Sequence, residues 1–64
     1  MDTATITYAE TLGMIAFGKG RAPQPGGDKQ LMDAVREVGA VSKDGNRLMR
    51  AWLKGWHSAN LAAA

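Results

Sequence analysis

Apolar positions recur at helical spacing in three stretches of the chain, and glycine-containing breaks separate them. In the first stretch Tyr8, Leu12 and Ile15 follow at i, i+4 and i+7. Beside them runs a row of small residues, Ala9, Gly13, Ala16 and Gly20. Thr7-Tyr8-Ala9-Glu10 fits a capping box, so the pattern predicts a first helix over residues 8–19 behind an extended arm at 1–7. A glycine inside a helix costs about 1 kcal/mol against alanine, so Gly13 points to the close approach of another helix or of a large ring such as Trp52 or Trp56. Gly18 and Gly20 supply left-handed stops.

Residues 21–27 hold two prolines and two glycines and read as a linker. Asp28 caps a second helix over 29–38, with Leu31, Val35 and Val38 on one side and Met32 alongside. Lys29 and Asp33 are spaced for an i,i+4 ion pair, and Gly39 suits the stop. Ser42 or Asp44 starts a third helix that runs to Leu61 and frays through Ala62-Ala63-Ala64. No strand pattern competes, because the segment Thr3-Ala4-Thr5-Ile6-Thr7 has no partner to pair with. The expected fold is all-α: a single domain over 1–64, three short helices, the first and third forming a hairpin. The candidate core is Leu12, Ile15, Leu31, Val35, Leu48, Trp52 and Trp56.

The third helix sorts into two faces. At 100° per residue, Lys43, Arg47, Arg50, Lys54 and His57 share an arc of roughly 80°, while Leu48, Trp52, Gly55, Trp56 and Ala59 share an arc of about 100° elsewhere. No acid follows Asp44. Two tryptophans facing inward and cations facing water make a helix suited to hold something anionic or to dock on a partner. A solvated helix face is the competing reading of the same charges. The tryptophans could stack on unpaired bases, but a chain this short needs its large rings inside.

Length and charge narrow the picture further. The chain has 64 residues, no cysteine, one histidine and a net charge of +2. Disulfides and thiolate zinc sites are excluded, and a lone histidine makes no metal site. No metal or cofactor is expected. A small domain without such staples calls for a second copy, as a helical dimer, or for a tightly packed mini-core. Asp2 and Glu10 make residues 1–18 acidic, and Lys43, Arg47, Arg50 and Lys54 against Asp44 make residues 42–64 basic. A basic end favours nucleic acid, an acidic protein surface or an anionic lipid. No run is long enough for a membrane span and no signal peptide is evident, so a soluble cytoplasmic protein without a membrane partner is expected. His57 has no carboxylate or thiol partner in sequence, and Asp28, Asp33 and Glu37 are spaced as surface charges. Lys19-Gly20-Arg21 with Gly26-Gly27 lacks the phosphate-loop spacing. No catalytic residue emerges. Asn60 suits a hydrogen bond to nearby backbone.

Two blocks carry a resemblance. The first is Gly13-Met14-Ile15-Ala16-Phe17-Gly18-Lys19-Gly20, followed by Arg21 and by Pro23 and Pro25. The second, Arg50-Ala51-Trp52-Leu53-Lys54-Gly55-Trp56-His57-Ser58-Ala59, contains the pattern W-L-x-G-W-x-x-A. Together they resemble the ribosome modulation factor family of small bacterial proteins over about half of the chain. The family's Cys-Pro pair is missing, residues 26–47 exceed the family's short connector by a whole helix, and the charge is lower. The resemblance implies a helical hairpin with both indoles over the small-residue groove of helix one. It also implies a non-enzymatic accessory factor that docks on the ribosome, its RNA or another structured RNA; the charge pattern offers Arg47, Arg50 and Lys54 for that contact, with Lys43, His57, Lys19 and Arg21 in support. Chains resembling this shorter motif also occur on phages and plasmids. The alternative function is therefore an inhibitor that binds a host protein complex, for example a CRISPR effector, in the manner of an anti-CRISPR protein.

Overall fold

The computed structural model describes residues 2–64. Three helices, α1 (Thr3–Gly18), α2 (Lys29–Val38) and α3 (Lys43–Ala63), pack in an all-α arrangement in which α1 and α3 form the main contact. A 3-10 turn over Pro25–Gly27 interrupts the linker. None of the helices is long and apolar enough to cross a membrane.

α1 starts earlier than the sequence pattern predicts. Of the expected arm 1–7, Met1 lies outside the described residues, while Thr3 to Thr7 are helical. The Asp2 carboxylate is the cap: it accepts the Thr5 amide at 3.0 Å and the Thr5 hydroxyl at 2.8 Å. Those two bonds hold the Asp2 carboxyl below the ordinary aspartate range, the hydroxyl contributing most. Thr7 instead lends its carbonyl to the Thr11 hydroxyl, and Glu10 reaches across to α3. At the other end, Gly20 at φ 76° closes a Schellman turn: Arg21 N donates to Ala16 O and Gly20 N to Phe17 O.

The Asp28 carboxylate caps α2, accepting from Gln30 N and Leu31 N, and Gly39 at φ 99° ends it. Asp33 pairs with Arg36 and not with Lys29 as the spacing suggested. Ser42 caps α3 by accepting from Gly45 N at 3.0 Å.

The core is Ala9, Leu12 and Ala16 from α1, Leu31 and Val35 from α2, and Leu48, Ala51 and Trp52 from α3. Trp52 is 1% exposed, and Trp56 is partly buried against the same cluster. Two glycines let α1 and α3 touch backbone to backbone. A Cβ on Gly13 would overlap the Trp52 carbonyl, and one on Gly55 would overlap the Glu10 carbonyl. Ile15 does not join the core; it is 47% exposed. The row that faces α3 is Ala9, Gly13 and Ala16, and a helix turned to bury it throws Tyr8 and Ile15 outward. Gly20 is exposed beyond the helix end and forms no part of that groove.

Candidate nucleic-acid interface

Burial of Leu48, Trp52 and Gly55 turns the opposite side of α3 to solvent. Both indoles are tied down as well as packed: Trp52 Nε1 donates to Asp28 Oδ2 at 2.9 Å and Trp56 Nε1 donates to the Arg21 carbonyl at 2.9 Å. Trp56 also stands edge-on to Phe17 and to His57. These rings hold α3 at a fixed rotation, and that rotation aims the cations.

Lys43, Arg47, Arg50, Lys54 and His57 are all exposed. They are not equally free. Arg47 lies 3.7 Å from Asp44, one turn back, and Lys54 lies 3.5 Å from Glu10 of α1. Beyond Asp44 in its own sequence, the stripe therefore acquires a second acid across the helix contact. Among the described residues Lys43 and Arg50 have no carboxylate partner. His57 is occupied in packing on Trp56. Two shallow depressions flank Arg47 and Arg50. One is lined by Lys43 and Asn46, and the other, between α1 and α3, by Ile6, Glu10, Ala51 and Lys54.

Lys19 and Arg21 do not join this face. They line a separate depression at the α1–α2 junction with Lys29, Asp28, Gln30 and Ile15. Seven of the eight lysines and arginines thus divide into two clusters, with Arg36 paired to Asp33 apart from both, and Lys29, read in the sequence only as an ion-pair partner of Asp33, belongs to the second. Asp28 is the other residue whose weight sequence reasoning underrated: its cap position was readable, its bond to an indole 24 residues away was not. Among the described residues no group of three or more His, Cys, Asp or Glu side chains could hold a metal ion.

Exposed cations on one helix face, two of the four paired with carboxylates, can neutralise phosphates, and each one engaged releases counterions. Trp52 is buried and Trp56 partly so on the other side of the helix, so stacking of bases on the tryptophans is not available to this face. No family model, curated protein or solved structure matches the chain.

Proposed function

We propose that the chain is a non-enzymatic, cytoplasmic binding protein that docks on the ribosome or another structured RNA through the outer face of α3. The observation that carries this reading is the alignment of Lys43, Arg47 and Arg50 along the solvent side of a helix whose other side is committed to the core. The W-L-x-G-W-x-x-A ending, by which the chain resembles the ribosome modulation factor family, supports it. Recognition would follow the RNA backbone and its 2′-hydroxyls.

The test is co-sedimentation with ribosomes. Wild-type chain should pellet at low salt. With roughly three cations engaged, the logarithm of the binding constant should fall with a slope of about −2 to −3 against the logarithm of salt. Arg50→Glu should abolish pelleting while leaving the helical spectrum intact. Protein that stays in the supernatant at low salt overturns the reading. So does a nuclease-resistant, stoichiometric complex with one host protein, the outcome that an inhibitor of a host complex would give.

A further inference from the structure

α1 carries one charged side chain along its length, Glu10, and that residue is turned toward Lys54 of α3. Its outward face is Ala4, Thr7, Tyr8, Thr11, Met14, Ile15 and Gly18, all exposed and all uncharged. Three of these are large and apolar, and each is half-exposed. A surface helix of a small domain ordinarily puts charge on its outer side; this one does not.

The pattern of that face is symmetric about Thr11. An antiparallel copy laid across it with Thr11 opposite Thr11 places Ala4 against Gly18, Tyr8 against Met14 and Thr7 against Ile15. Small residues meet at the ends, and each large side chain meets one that fits it, with the Met14 thioether on the Tyr8 ring. The flank along α2 completes the match. Beside Tyr8, α2 presents Asp33 and Glu37. Beside Ile15, the α1–α2 junction presents Lys19, Arg21 and Lys29. A two-fold axis through Thr11 exchanges these two regions, so the acidic edge of each copy meets the basic edge of the other. Among the described residues Glu37 has no ion-pair partner, while Asp33 is already paired with Arg36. A parallel pairing would set each edge away from its complement and align the two helix dipoles unfavourably.

We infer that the outer face of α1 is a self-association surface, on which a second copy of this chain packs antiparallel about Thr11 with Lys19 of each copy near Glu37 of the other. The inference is independent of RNA binding, because Lys43 and Arg50 lie on α3 outside the contact, and it is tested without RNA. Such an interface is isologous and closes at two copies.

Sedimentation equilibrium of nucleic-acid-free wild-type chain at submillimolar concentration should give the mass of a dimer. Tyr8→Gln with Ile15→Gln should give a monomer with unchanged helical content, since neither side chain is in the core. Lys19→Glu and Glu37→Lys should each raise the dissociation constant about two- to five-fold, and the double reversal should restore it. The natural chain has no cysteine, so Thr11→Cys gives a single thiol that should oxidise to a linked dimer. Ala4→Cys should not, because its own copy would lie about 21 Å away along an antiparallel helix. A monomeric wild type overturns the inference and leaves the face to a different partner. A dimer mass unaffected by the double glutamine change, or Ala4→Cys linking as readily as Thr11→Cys, overturns it too.

Discussion

Asp28 performs two tasks with one carboxylate: Oδ1 caps α2 through Gln30 and Leu31, and Oδ2 receives the Trp52 indole. An amide cannot do both, because its nitrogen would face a donor on one side or the other. Asp28→Asn should cost about 1–2 kcal/mol, and Asp28→Ala, which loses the cap and strands the indole N–H, about 2–4 kcal/mol. Chains of this size hold only roughly 3–10 kcal/mol in total, so the alanine variant should lie near its unfolding midpoint in a modest urea concentration. Urea titration followed by tryptophan fluorescence measures both. If Asp28→Asn is as stable as the wild type, having a carboxylate that accepts on both sides adds nothing. At this scale the inward placement of Trp52, and in part of Trp56, was readable from their spacing and their size. The partners of Trp52 and Glu10 were not, because each depends on a residue brought alongside by the fold from 24 or more positions away, and no local pattern encodes that distance.

The crossing of α1 and α3 depends on two side chains being absent. Gly13 and Gly55 each lower helix propensity, and each sits where a methyl group would collide with the carbonyl of the facing helix. Gly13→Ala or Gly55→Ala should therefore destabilise by at least about 2–3 kcal/mol despite the propensity gain, as the helices are forced apart and the core around Trp52 opens. Gly18→Ala is the internal control. It lies in α1 with nothing within 4 Å of an added Cβ and should stabilise by a few tenths to about 1 kcal/mol. Thermal unfolding of the three variants decides it, and destabilisation by all three would mean propensity is not the governing term at Gly18. Element boundaries were legible where one capping signal stood alone, as at Asp28 and Gly39. They were not at the first helix. There Thr7 and Glu10 offered a second, competing cap, and the β-branched run Thr5-Ile6-Thr7 favoured an extended reading. Asp2 prevails because the longer helix also sets Ile6 against the core. The phase of α1 was misjudged for a related reason: two rows, one large and one small, were both candidates to face inward. The small row won because only it allows backbone contact, and Ile15 was left outside.

At the scale of the whole molecule the charge is divided by the fold. The hairpin of α1 on α3 could be anticipated from the glycine row and the indole pair. The separation of Lys19 and Arg21 from the α3 stripe could not, because it follows from where the linker returns and how α2 is laid down. The same packing places Glu10 beside Lys54 and so subtracts from the field of the outer α3 face. A half-exposed ion pair of this kind stabilises little, so Glu10→Gln should leave unfolding nearly unchanged, within about 0.5 kcal/mol. It should nevertheless strengthen ribosome association by releasing Lys54 to a phosphate, and steepen the salt dependence by about one unit of slope. Arg50→Gln should do the opposite on both counts. Fluorescence anisotropy of the labelled chain against ribosomes, titrated across a range of salt, reads both quantities. If the α3 face contacts phosphate, the two substitutions displace affinity in opposite directions with stability constant. If neither moves it, the cations serve only to keep the helix in water, and the binding surface must be sought elsewhere on the molecule.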